Sequence, residues 1–130
     1  MAIRIVRFGS AREPDEGLRL GTVRRPPRGV RKEDYSKLDY FDVWLPELAP
    51  TAPLVDFALS EPFTLKRWAE YDKRYRAEMK KPAAQHLIAA LAALSAQTNL
   101  SVGCYCENEH YCHRSILKDL LADAGAVIVG

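Results

Sequence analysis

The sequence predicts an α/β domain built on a central, mostly parallel sheet of about five strands with helices on both faces. Three observations carry that expectation. Short β-branched runs stand at both ends of the chain and in its middle. The stretch from residue 64 to 97 repeats its apolar residues at helical spacing. The C-terminal third reads strand, helix, strand, which implies a right-handed parallel crossover. The 130 residues suffice for one core. No internal repeat or long linker divides them, so residues 1–130 are read as one domain.

Ile3 to Phe8 alternates Ile3 and Ile5 onto one face and reads as the first strand. Residues 11–17 are a polar loop, and Leu18 to Arg24 is a second strand. Tyr40 to Leu45 is aromatic and β-branched and stops at Pro46, which fits a strand, with a short helix as the alternative. Pro46, Pro50, Pro53 and Pro62 allow only a short helix at Leu54–Leu59. Thr64 is a helix N-cap. After it, Leu65, Trp68, Tyr71, Tyr75 and Met79 recur every three or four residues and form one helix face, read as core. Pro82 starts the next helix, Ala83 to Gln97, whose alanines and leucines predict a buried element. Leu100 to Cys106 is a strand in which Gly103 would let a helix pack close. From Cys112 or His113 to Ala124 a helix is expected to turn Ile116, Leu117, Leu120, Leu121 and Ala124 inward. Gly125 ends it, and Val127 to Val129 is the last strand.

No apolar run approaches the ~20 residues needed to span a bilayer. The first apolar run is broken by Arg4 and Arg7, unlike a secretory signal. Three clustered cysteines are unlike a disulfide framework. The expected location is the cytoplasm, with reduced thiols. The net charge of +2 hides an uneven distribution: residues 1–32 carry nine Arg/Lys against three acids. The excess peaks at Arg24-Arg25-Pro26-Pro27-Arg28-Gly29-Val30-Arg31-Lys32, a stiff loop whose cations would attract phosphate or another anion. The plainer alternative is a solvated loop paired with surface acids.

All three cysteines and two of the three histidines fall between Cys104 and His113, where a strand gives way to a helix. Strand-to-helix turns of this kind are where α/β proteins usually bind ligands. Cys112 and His113 open the helix, whose N-terminal dipole favours an anion, including a thiolate. Cys112 is therefore expected to be the most reactive thiol, aided by His113 and Arg114. A phosphatase-like loop needs a cysteine, five residues and then arginine, but after Cys106 and five residues that place is taken by Cys112 and Arg114 comes two later. Cys104, Cys106, Cys112 and His113 suit zinc by type, but the Cys104-x-Cys106 spacing suits a strand better than a zinc turn. A non-metal site would pair Cys106 and Cys112 as nucleophile and resolving thiol, or as walls of an anion pocket. Alternatively the cysteines are small buried hydrophobes. His110 and His86 read as surface groups.

The residues also resemble a known family. Cys106-Glu107, Cys112-His113-Arg114-Ser115 and the amphipathic helix that follows are similar to the signature of the DUF488 proteins. Pro27-Arg28-Gly29, Lys32-Glu33-Asp34, Trp44 to Pro50 and Trp68 to Glu78 resemble the short, single-domain branch, in the right order over nearly the whole chain. The resemblance implies a compact α/β fold in a bacterial or archaeal cytoplasmic protein, and no assigned activity. The branch often has Asp-Arg-Leu-Trp before Pro-Arg-Gly; here Val23 stands for the acid and Pro26 for the tryptophan.

The expected function is an anion-binding site with cysteine-dependent chemistry. Cys106, Cys112 and His113 are its reactive groups, and Arg114, Ser115, Arg24, Arg25 and Arg28 hold the anion. The partner is a small phosphorylated molecule or a nucleic-acid phosphate, with no membrane partner, cofactor or metal expected. The rival is a non-catalytic nucleic-acid-binding or regulatory module using the Arg24–Lys32 loop alone. One distance separates them: a loop more than about 15 Å from Cys112, roughly two screening lengths, could not share its pocket.

Overall fold

The structure, a computed structural model, describes residues 1–60, 62–106 and 111–129. Strands β1 (Ile3–Arg7), β2 (Leu18–Gly21), β3 (Val43–Trp44), β4 (Leu100–Cys104) and β5 (Ile128–Val129) form one sheet in the order β3-β2-β4-β1-β5. Every pairing is parallel. All carboxyl ends therefore lie along one edge, where Arg7, Gly21, Trp44 and Cys104 stop. The expected α/β class and five-stranded sheet are present. Helices α1 (Ala52–Leu59), α2 (Leu65–Glu78), α3 (Pro82–Leu94) and α4 (His113–Asp123) complete the fold.

The register explains the two faces. Ile5 and Leu20 both pair with Val102, and Ile3 pairs with Leu100, so these side chains share a face. All four helices pack there, with Leu54, Tyr75, Ile88, Leu91, Leu117 and Leu121 in the same buried cluster. The opposite face holds Val6, Phe8, Val23 and Phe41. Loops cover it instead of α-helices, which differs from the expectation of helices on both faces. The reason is local: the crossovers after β1 and β2 are rich in Pro, Gly and charge, and contain only a 3₁₀ turn at Lys32–Asp34.

Arg19 ties this loop layer down. It is fully buried and ion-paired with Glu16. Its guanidinium also donates to the carbonyls of Asp39 (2.7 Å) and Ala11 (3.3 Å). One strand residue thus anchors both loops. Gly103 serves the same face: a Cβ there would lie 2.5 Å from the Val6 carbonyl oxygen and 2.9 Å from the Phe8 ring. The close approach is by the loop face, not by a helix as its position first suggested.

The element boundaries shift for physical reasons. β4 ends at Cys104, so Cys106 lies in the turn beyond the strand. β3 is only two residues because Phe41 turns inward against Gly21. Helix α3 is one-sided rather than buried: Ala84, Ile88, Leu91 and Ala92 are covered, while Ala89, Ala90 and Ala93 face solvent. His86 is exposed, and His110 lies outside the described residues. Thr64 caps α2 by accepting from the Arg67 N–H at 3.1 Å. No helix among the described residues is long and apolar enough to cross a membrane.

Candidate functional site: a thiol cluster beside a basic cavity

Cys104 closes β4 and Cys112 caps α4, so the sheet edge and the helix N-terminus bring them together. Their sulfurs lie 2.9 Å apart. All three cysteine sulfurs fall within 4.8 Å of one another. The Cys104-x-Cys106 spacing, which suits a strand, did not require this convergence; the fold supplies it. Cys104 and Cys112 are buried, while Cys106 is exposed at the mouth.

His113 is held by the neighbouring strand. Its Nε2–H donates to the carbonyl of Thr22, just beyond β2, at 2.6 Å. A carbonyl only accepts, so Nε2 carries a proton and Nδ1 faces Cys112 Sγ at 3.6 Å. That geometry serves a thiol–imidazole pair or a thiolate–imidazolium pair equally.

Arg114 is 2% exposed. Its guanidinium donates to the carbonyls of Val6 (2.9 Å) and Cys106 (2.6 Å), while its Nε has no hydrogen-bond partner. No carboxylate among the described residues pairs with it. A buried cation without a counter-charge is strongly unfavourable. Burial opposes the charge, and the neighbouring cysteine sulfurs favour it enough to raise the guanidinium pKa.

Among the three thiols, one site is favoured for the negative charge. Hydrogen bonds from the Cys104 and Cys106 thiols, then His113, hold Cys112 far below an ordinary thiol, against burial. Cys104 is pushed far up by its hydrogen bonds to Cys106 and Cys112 and by burial. At Cys106 the Cys104 hydrogen bond lowers the value, but Cys112 and burial outweigh it and raise it to about 11. Within the cluster a negative charge is thus favoured at Cys112, the one cysteine whose neighbours lower its pKa.

In front of the cluster lies a cavity of about 500 Å³. Cys104, Cys106 and His113 form one wall and Arg24, Arg25 and Arg28 another. The basic loop and the cysteine turn thus line one cavity. Their roles differ, however. Arg24 is spent on structure, donating to the carbonyls of Pro46 (3.0 Å) and Pro50 (2.9 Å). Arg25 and Arg28 are exposed and have no ion-pair or hydrogen-bond partner for their side chains among the described residues. Arg114 lies behind the sulfurs, outside the cavity lining, and the Ser115 hydroxyl donates to the Cys112 carbonyl at 2.9 Å within the first helix turn.

The sequence did not mark four residues as part of the site. Thr22 orients His113. Tyr105 donates its hydroxyl to the Arg25 carbonyl at 3.1 Å and so ties the loop to the cluster. Tyr71 lines the cavity, and Asp56 is its one acid among the described residues. Tyr105 alone had a clue, its place between two cysteines. Val23, where the family often has an acid, is buried with Phe8 and Phe41.

These features define a class: a parallel α/β protein with a thiol–imidazole cluster and a basic cavity at the carboxyl edge of its sheet. Residues 3–125 match the family described as "Active DUF488-N3 subclade". The chain belongs to the DUF488 family. It is also 31% identical over 100 residues to uncharacterised proteins of Mycobacterium tuberculosis and Mycobacterium bovis, covering 77% of this chain and 74% of each relative. No solved structure matches.

Proposed function

We propose that the chain binds a small phosphorylated ligand in the basic cavity and acts on it through Cys112, which lines a second cavity sharing Cys106 and His113 with the first. The observation that carries the reading is the shared cavity: two unpaired arginines, Arg25 and Arg28, open onto the same space as Cys104, Cys106 and His113. The arginines would hold the anion. Cys112 would be the nucleophile, His113 its proton partner and Arg114 its buried counter-charge. Asp56 stands opposite as the acid available for a second proton transfer. The word "Active" in the description of the matching family accords with a working site.

Titration with inorganic phosphate and with nucleotides tests this against the rival nucleic-acid module. If the cavity is the site, Arg25→Ala with Arg28→Ala weakens binding of the small anion, and Cys112→Ser removes chemistry. Under the rival, duplex DNA binds with a log–log salt slope of about −0.9 per phosphate neutralised, and Cys112→Ser leaves that binding intact.

A second reading has its own observation. Three sulfurs within 4.8 Å, with an imidazole nitrogen beside them, could hold zinc; Zn–S bonds of about 2.3 Å place tetrahedral sulfurs about 3.8 Å apart. The Thr22 carbonyl orients His113 as second partners of metal-bound histidines do. Elemental analysis of protein purified without chelator decides it. One tightly held zinc per chain, lost in Cys112→Ser, would replace the free-thiolate reading.

A further inference from the structure

The α2 stripe does not enter the core as a unit. Tyr71, Tyr75 and Met79 are buried, Trp68 is half-buried and Leu65 is 68% exposed. Trp68 stacks on Tyr71 with ring centroids 5.4 Å apart, and Tyr111 meets Trp68 edge-on at 5.5 Å. Phe63 packs on Tyr111 at 4.6 Å, although these two rings are 57% and 43% exposed. Exposed rings gathered in one place mark a binding surface more often than a packing accident.

These rings surround a second cavity of about 200 Å³, with Cys112 also in its wall. It adjoins the basic cavity, because Leu59, Tyr71, Cys106 and His113 line both. Tyr71 makes no hydrogen bond through its hydroxyl among the described residues. Burial, and then the neighbouring cysteines, raise its pKa well above the usual phenol value, so it stays a donor. The two cavities therefore form one continuous trough. One end carries Arg25 and Arg28, the middle holds the thiol–imidazole pair, and the far end is aromatic, with the Tyr71 hydroxyl, the Cys112 sulfur and Arg67, whose guanidinium lies over the Phe57 ring, in its wall.

We infer that the aromatic cavity is a subsite for the base of a nucleoside monophosphate-type ligand, whose phosphate lies at Arg25 and Arg28. The inference rests on the anion-site reading of the larger cavity. A purely hydrocarbon occupant would strand the Tyr71 hydroxyl and the Cys112 sulfur against apolar atoms. A planar heterocycle stacks on the rings and offers acceptors to the hydroxyl. The sugar then bridges past Cys106 and His113, which puts the linkage between base and phosphate beside the reactive groups. Stacking is tolerant of base identity, so the subsite selects for a base rather than for one base.

Calorimetric titration of the full chain with AMP, ribose 5-phosphate and inorganic phosphate tests this. AMP is expected to bind at least about fivefold more tightly than ribose 5-phosphate, the low end of what base–aromatic stacking contributes. Phe63→Ala and Tyr111→Ala remove exposed rings. Each should cut the AMP advantage and leave ribose 5-phosphate unchanged, with circular dichroism confirming the fold. Arg25→Ala with Arg28→Ala should weaken both ligands in parallel. Equal affinity for AMP and ribose 5-phosphate, or an AMP preference that survives both ring removals, overturns the base subsite while the anion site stands. Binding of none of the three probes overturns the anion-site reading and the inference together.

Discussion

Cys112 and Arg114 stabilise one another. The arginine is sealed behind the sulfurs with no acid partner among the described residues, and two thiols, an imidazole and a helix N-terminus favour negative charge on Cys112. Arg114→Met should therefore raise the Cys112 pKa, besides loosening the carbonyls of Val6 and Cys106. The direct measurement is alkylation by iodoacetamide against pH. In Cys106→Ser, modification of Cys112 should vary little between about pH 6 and 8, because the thiolate is already formed. In Cys112→Ser, the remaining accessible thiol, Cys106, should react about tenfold faster per pH unit below an ordinary thiol value of about 8.5. A Cys112 profile that climbs like the Cys106 one would remove the thiolate from the site. Burial of Cys112 limits access to small reagents, so a bulky maleimide should label Cys106 first.

At the scale of elements, the site depends on how closely β4 approaches β1. Gly103 permits it, since the Val6 carbonyl is backbone and cannot swing away. Gly103→Ala is expected to destabilise the fold by about 1–3 kcal/mol, as overpacking typically does, read as a lower urea midpoint. It should also disturb Arg114, which donates to the same carbonyl. A midpoint equal to the parent's would mean that the sheet has slack the structure does not suggest. Helix α2 teaches a related lesson. Its apolar repeat identifies one face, but the helix outruns the core, so its last two turns pack inside while its first turn leans over a cavity. Periodicity says which residues share a face and is silent on where that face stops being covered.

For the whole molecule, the loop layer replaces a helical layer, and the Glu16–Arg19 pair secures it. Pairing, with backbone and Ser101 hydrogen bonds, lowers the Glu16 pKa below its ordinary 4.5, against the opposing effect of burial. The carboxylate is then fully stabilising above pH 4.5, and that contribution is lost as pH falls through the lower folded value. Glu16→Gln should cost about 3–5 kcal/mol at neutral pH, as breaking a buried ion pair does. The deficit relative to the parent should shrink in acid, where the parent's own glutamate protonates. Thermal melts of both proteins between about pH 7 and 3 measure this linkage directly. A deficit constant with pH would show that the charge on Glu16 is not what matters.

The sequence alone determined whatever depends on neighbours along the chain. The parallel β4–α4–β5 unit, the Thr64 cap, the Pro82 start and the gathering of thiols at a strand-to-helix turn all follow from local spacing and local propensity. The family resemblance followed from motifs of the same short range, and residues 3–125 match it. Only the tertiary structure decided what depends on contacts between distant segments. Thr22 meets His113 across 91 positions, and Tyr105 meets Arg25 across 80. The basic loop reaches the cysteines because β2 and β4 are adjacent, a pairing no local pattern specifies. The same adjacency separates Arg25 and Arg28, open to a ligand, from Arg24, committed to backbone carbonyls. Strand order is set by which arrangement buries the two faces together, and that is a property of the whole chain rather than of any segment.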